Sequence, residues 1–273
     1  MRSPLRWVGG KGKLVNTILP LFPEHKGYVE VFGGSAVVLL NKPSSKWEVL
    51  NDFDSNLANF WKVIQRDKDK FLESFKYEIV SRERFQEYRE KYKMSNYEND
   101  IEQAKIFYYI VRSSFGGDMY SPSFGASKDR NRLRLDRIRA DIDNVYQRIL
   151  PITVENRSFE KLIKTYDSED TFFYLDPPYR NTKRYATGKF SDDQYELLKG
   201  LLAKSKGKWL LTINDDPYIR ELFKDHYVMD HEVMYTISKE RKNRVSYGEL
   251  IITNYDTGVF EESTEYLCAV GSN

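Results

Sequence analysis

The sequence predicts an α/β protein with a mixed sheet of about seven strands, and three observations carry that prediction. Strand-like and helix-like segments alternate through the first 65 residues and return after residue 150. Phe172 to Leu175 form an apolar run that stops at Asp176, the pattern of a central strand buried on both faces. EVMYTI and ELIITNY, joined by the basic connection SKERKNR, read most simply as a late antiparallel pair.

Taken in order, the glycine-rich entrance RWVGGKGK leads into KLVNTILP, where Leu14 and Ile18 fall one helical turn apart before Pro20 stops the helix. YVEVF, 28 to 32, is a compact strand that runs into the permissive turn GGS and a helix on AVVLL. KWEVLND, 46 to 52, is a second strand ending in an acid. Asp54 caps the next helix, on which Leu57, Trp61 and Ile64 share one face.

The pattern changes at residue 65. SRERFQEYREKYK is a charged surface helix, and DIEQAKIFYYIVRS has a large apolar face with Asp100 and Gln103 at capping-box spacing. SSFGGDMYSPSFGAS reads as an ordered loop because it carries Phe115, Met119, Tyr120 and Phe124. KDRNRLRLDRIR, 128 to 139, holds six positive and two negative residues; it is either a solvated face or a phosphate-contacting strip. Strands return at PITVEN, FFYLD and KWLLTIND, with Ser191 and Gln194 again spaced as a capping box and Asp216 before Pro217 at a helix start. The expected division is a catalytic domain in two parts, 1–64 and 151–273, with a mostly helical domain inserted over 65–150.

Bulk properties narrow the function. A chain of 273 residues supports one substantial core, or one core with a smaller attached domain. Net charge is only +2, so a polyanion partner must be argued from where the charges sit. The single cysteine, Cys268, excludes an intramolecular disulfide, and His25, His226 and His231 are wrongly spaced for zinc. With no apolar signal core and no run near the roughly 20 apolar residues that span a bilayer, a soluble intracellular protein is expected.

Open α/β sheets gather ligands at the carboxyl ends of their strands. Three polar signatures lie at such ends: Glu30 with Phe32, Gly33 and Gly34; Asn51 with Asp52; and Asp176 to Tyr179. An acid ending the second strand has the geometry to accept hydrogen bonds from ribose hydroxyls. RWVGGKGK lacks the order of a triphosphate loop and follows no visible strand. Pro177 and Pro178 stiffen the exit from the fourth strand, remove two donors and leave carbonyls unpaired.

PLRWVGGKGKL, YVEVFGGSAVVLL, VLNDFDSNL, YLDPPY and ELIITNY, in that order, resemble the Dam-like, D12-class family of adenine-specific DNA methyltransferases. The match spans both ends of the chain and most of the expected sheet. It implies a seven-stranded sheet of the S-adenosylmethionine-dependent methyltransferase type with an inserted target-recognition domain, in the cytoplasm of a bacterial or phage-infected cell. The implied reaction moves a methyl group from S-adenosylmethionine to N6 of an adenine flipped out of duplex DNA. Trp7 and Lys11 would lie in the cofactor-side segment. Glu30, Phe32 and Gly33 would wall the methionine and adenosine site, Asp52 would bind the ribose, and Asp176 would border both cofactor and target.

In the target pocket, Asp176 and the Pro177 carbonyl would accept the two N6 hydrogens while Tyr179 stacks on the adenine. Such acceptors favour charge developing on an otherwise poor nucleophile. Arg112, Tyr120 and their loop would read bases or fill the gap left by flipping; Lys128, Arg130, Arg132 and Arg134 would touch phosphates. Lys239, Arg241, Lys242 and Arg244 would lie beside DNA or in solvent. Ser113 and Ser114 stand where Dam proper carries a tyrosine-rich asparagine and arginine loop, so the resemblance leaves the target open between GATC and another sequence. The alternatives are cytosine-N4 methylation and a DNA-binding homologue without transfer. An orphan enzyme and the modification partner of a separately acting restriction endonuclease both remain open.

Overall fold

A computed structural model describes residues 1–7, 9–125, 133–180, 188–234 and 246–258, with the backbone alone at 232–234 and 246–247. The N-terminal segment passes through the short helix α1 (Val15–Ile18) into β1 (Gly27–Glu30), α2 (Val37–Asn41) and β2 (Trp47–Asn51). Four helices follow: α3 (Ser55–Glu73), α4 (Arg82–Met94), α5 (Asp100–Ser113) and α6 (Ile138–Ile149). The chain then returns to the sheet through β3 (Thr153–Glu155), α7 (Phe159–Tyr166), β4 (Thr171–Leu175), α8 (Asp192–Leu202), β5 (Lys208–Asn214), α9 (Pro217–Leu222), β6 (Tyr227–Met234) and β7 (Ser246–Thr253). None of the described helices is long and apolar enough to cross a membrane.

The strands form one sheet in the order β3-β2-β1-β4-β5-β7-β6. β1 to β5 are parallel, and β7 runs antiparallel between β5 and β6. The chain leaves β1 towards β2 on one side, while β4 and β5 lie on the other. The topological switch point therefore falls between β1 and β4, above their carboxyl ends.

Alternation along the strands divides the core into two layers. Tyr28, Leu50, Phe172, Tyr174, Leu210 and Ile251 pack on one face with residues of α3, α5 and α6. Val29, Val49, Phe173, Leu175, Leu211, Ile213 and Ile252 face the other way, against α7, α8 and α9. β4 is buried along its whole length, as its apolar run predicted.

Several boundaries differ from the sequence reading. The division expected at 64/65 falls inside α3, which continues to Glu73 with a kink at Asp67, and α4 to α6 bury their apolar faces in the same cluster as the sheet. Asn99, not Asp100, caps α5, its side chain accepting from Ile101 N and Glu102 N at 3.0 Å each. β6 starts at Tyr227, five residues before the expected strand; Asp230 and His231 on this edge strand mask its periodicity. The caps at Asp54, Ser191 and Asp216 form as expected, with a full capping box at Ser191 and Gln194.

A buried ion triad ties α6 to the sheet. Glu48 accepts from Lys42 at 2.6 Å and from both terminal nitrogens of Arg148, which also donates to the Leu39 carbonyl at 2.8 Å. Burial opposes the Glu48 charge, but the bonds from Arg148 and Lys42 hold its carboxyl below the usual range. Glu48→Ala would leave two buried cations facing each other. It should cost about 3–5 kcal/mol, read as a lower midpoint in urea unfolding.

Candidate active site

The site grows from strand ends that register brings level. Glu30 pairs with Tyr174 on β4, Tyr174 with Leu210 on β5, and Asn214 at the end of β5 with Glu249 on β7. Side chains two residues apart share a face, so Asp176, continuing Phe172 and Tyr174, projects to the same side as Thr212 and Glu249. The N-terminal segment crosses that side and delivers Lys11.

Lys11 is the hub. Its side chain is 2 % exposed, and its ammonium group lies 2.6 Å from Asp176 Oδ1 and 3.0 Å from Glu249 Oε1. It also donates to the Tyr179 hydroxyl, which in turn donates to Glu249. Thr212 Oγ1 adds a longer bond to Asp176 Oδ1 at 3.4 Å. Burial works against the Lys11 charge, but attraction to Asp176 and Glu249 outweighs it and lifts the pKa above the ordinary lysine value. Burial pushes the Asp176 pKa up to about 6, with Lys11 opposing the rise and Glu249 adding to it.

The prolines set the exit. Pro177 is buried, and its carbonyl accepts no hydrogen bond from the described residues. Tyr195 of α8 donates to the Pro178 carbonyl. Arg180 then grips Asp192 with two bonds, of 2.8 and 3.0 Å, reaches Asp216 at 3.3 Å, and lies 4.7 Å from the Tyr218 ring centroid. The segment after Asp176 is thus held from α8 and α9, and its dihedral freedom is limited by two pyrrolidine rings.

The turn after β1 is built by close approach. A Cβ on Gly33 would meet Leu50 Cδ1 at 2.6 Å and the Asn51 carbonyl at 2.9 Å. Gly34 has φ +48° and packs against the indole of Trp7, so both positions require glycine. Asp52 holds the turn, accepting from Gly34 N and Asp54 N at 2.9 Å each; burial raises its pKa to about 6 despite these bonds. Each Asp52 oxygen keeps further acceptor capacity. Phe32 is half-buried in an aromatic group, with Phe159 and Phe190 centroids at 6.0 and 5.8 Å.

Two expected site residues occupy other positions. Glu30 is buried below the turn, where its Oε2 accepts from Tyr28 Oη at 2.7 Å and Leu39 N at 2.8 Å. It thereby satisfies a first-turn amide of α2. Arg112, in the last turn of α5, donates to the Pro4 carbonyl at 2.9 Å and pairs with Asp141 at 3.3 Å, anchoring the N-terminal segment. Trp7 is likewise an anchor, half-buried between Gly34 and Phe107. A cavity under this segment is lined by Trp7, Gly10, Gly12, Ser35 and Val37, and does not reach Asp52 or Asp176.

Phe115 and Tyr120 are exposed, on a loop closed at its base by a bridge from Ser114 to Phe124. Arg134 is exposed and makes a two-bond pair with Asp136. Lys128, Arg130, Arg132, Lys239, Arg241, Lys242 and Arg244 lie outside the described residues. The sequence reading missed Glu249, Thr212, Phe159 and Phe190. Glu249 had a signal, an acid opening the apolar run LIIT on the same parity as buried Ile251; the aromatics had none beyond their type.

Glu30 makes stability depend on pH. Burial raises its pKa from 4.5 to about 8, against the bonds from Tyr28 and Leu39, so the carboxyl stays protonated in the folded chain at neutral pH. Its contribution is full below pH 4.5 and is lost as pH rises through about 8. The melting temperature should fall across that window, and Glu30→Gln should flatten the fall.

Comparison with known proteins shows the family. A model of the D12 class N6 adenine-specific DNA methyltransferase family matches residues 7–237. The modification methylase StsI of Streptococcus sanguinis is 27 % identical over 95 % of the chain, which spans 44 % of that relative's length. The type II methyltransferase M.CviBI of Paramecium bursaria Chlorella virus NC1A is 24 % identical over 93 % of the chain and 100 % of its own length. A DNA adenine methylase of Haemophilus influenzae is 24 % identical over 92 % of both chains.

Proposed function

Because the chain belongs to the D12 class of N6 adenine-specific DNA methyltransferases, we propose that it methylates N6 of an adenine flipped from a specific duplex sequence, with S-adenosylmethionine as donor. The observation that carries the reading is Asp176: a carboxylate fixed by Lys11 and Thr212 at the switch point, one residue before a proline whose carbonyl accepts no bond from the described residues.

The donor set fits the methyl donor. Asp52 offers acceptor capacity for ribose hydroxyls, Phe32 a partly open aromatic face, and Gly33 and Gly34 a turn without side chains. S-adenosylmethionine supplies a sulfonium methyl: the new bond forms from nitrogen to methyl carbon as the carbon–sulfur bond breaks and its electron pair stays on sulfur. The protein's part is to hold the amine. Asp176 and the Pro177 carbonyl accept its two hydrogens, bonds that tighten as positive charge develops on nitrogen. Asp176 can then take the surplus proton and pass it to solvent. Tyr179 presents its ring to the flipped base, which costs a few kcal/mol to unpair.

Target reading is assigned to the helices α4 to α6 and the loop bearing exposed Phe115 and Tyr120, with Arg112 tying α5 to Pro4 of the N-terminal segment beside that loop. Lys128, Arg130, Arg132 and Arg134 supply phosphate contacts. Double alanine substitution of Arg132 and Arg134 should weaken binding to all duplexes and shallow the salt dependence by about 2 in log–log slope.

Labelled methyl transfer to mixed-sequence DNA, followed by nucleoside identification, tests the function. N6-methyladenine is expected; N4-methylcytosine alone would replace the reading with cytosine methylation, and duplex binding without transfer would favour an inactive homologue. Asp176→Asn keeps the shape and removes the charge. It should lower kcat roughly 100- to 1,000-fold while DNA affinity changes by less than about 3-fold.

A further inference from the structure

Glu249 has no part in the transfer as derived above, yet it touches both Lys11 and Tyr179. We propose that Glu249 is a positioning residue for that transfer, dividing the Lys11 charge with Asp176 and fixing the hydroxyl of the ring that faces the base. The inference rests on the adenine-N6 reading.

The cluster is overbuilt for simple charge neutralisation. Asp176 at 2.6 Å already pairs Lys11, and a second carboxylate, only 3 % exposed, is costly to bury. One ammonium between two carboxylates leaves a net charge of −1 (+1 − 2) when all three are ionised. With Glu249 neutral the sum is zero, and Lys11 acts on Asp176 undivided. A carboxylate so tightly paired is a poorer acceptor for an amine gaining positive charge.

Among the described residues, the groups that act on Asp176 are Lys11 of the N-terminal segment and Thr212 of β5 by contact, and Glu249 of β7, Glu30 of β1 and Tyr174 of its own strand through charge. Glu30 is protonated at neutral pH, so Lys11 and Glu249 are the charges that set the balance. Glu249 also accepts a hydrogen bond from the Tyr179 hydroxyl, holding the phenol on the Lys11 side. Charge and ring position are therefore controlled from one strand.

The test is the pH dependence of kcat/KM, beside kcat, donor KM and DNA affinity. In the wild-type protein the acid limb should lie at about 6, where Asp176 ionises. Glu249→Gln should lower kcat roughly 10- to 100-fold, the scale for losing an outer partner of a site residue, with donor KM and DNA affinity within about 2-fold. Its acid limb should move to lower pH. Lys11→Met, which leaves the two carboxylates repelling, should move the limb to higher pH, and adding Glu249→Gln should bring it back down. An unmoved limb in Glu249→Gln, whether kcat stays at wild type or falls together with poorer KM, overturns the proposal. Should Glu249→Gln fail to fold, the Lys11→Met limb decides: an upward move supports the proposal, and no move or a downward one overturns it. Wild-type protein that makes no N6-methyladenine defeats both readings, whereas wild-type turnover with an unmoved variant limb defeats this one alone.

Discussion

A buried ammonium group cannot stand alone in a protein interior, and the placement of Lys11 follows from that constraint. The segment that carries it has little secondary structure, yet its lysine reaches under the carboxyl edge of the sheet and meets acids from two different strands. Losing either acid weakens the case for burying the lysine; losing the lysine leaves two carboxylates in repulsion. The entrance of the chain, the end of β4 and the start of β7 are consequently one electrostatic unit. That unit sits at the topological switch point, where the sheet geometry leaves room for a ligand.

The remainder of the architecture holds this unit in register. Asp52 fixes the turn after β1 through Gly34, Trp7 packs against the same glycine, and Arg112 secures Pro4 at the head of the segment. Gly117, in the loop after α5, lies so close to the Arg6 carbonyl that a Cβ would come within 2.5 Å of it. The loop assigned to DNA and the segment that delivers Lys11 are therefore packed together. Further back, Leu39 donates its amide to Glu30 and accepts from Arg148 on α6, so the inserted helices also bear on the support of the β1 turn. Helices α3 to α6 share one core cluster with the sheet, and α3 runs unbroken across the division expected at 64/65, with only a kink at Asp67.

What the sequence disclosed follows from how local each signal was. FFYLD announced a fully buried strand because four successive large apolar residues can be accommodated there by two packed faces. Ser191 with Gln194, and Asp216 before Pro217, announced helix starts because capping is decided within four residues. Asp176 and Lys11 were each visible as chemistry-bearing positions through the family resemblance, but their separation by 165 residues hid the contact. The enclosure of Glu30 was hidden for the same reason. A strand-end acid looks like a ligand group, and only the fold reveals that Tyr28 and the α2 amide enclose it.

Glu249 illustrates the general point. In sequence it is one acid among 41 acidic residues, at the start of a strand whose identity was clear and whose partner was not. Its meaning depends on β7 running antiparallel beside β5, because only that direction puts the first residues of β7 level with the last residues of β5. A parallel β7 in the same slot would bring its far end to this edge, and Thr253 rather than Glu249 would approach Lys11. The reversed strand is thus what adds a second carboxylate to a site otherwise assembled from the carboxyl ends of parallel strands. Polarity of one strand therefore decides whether Lys11 meets one carboxylate or two.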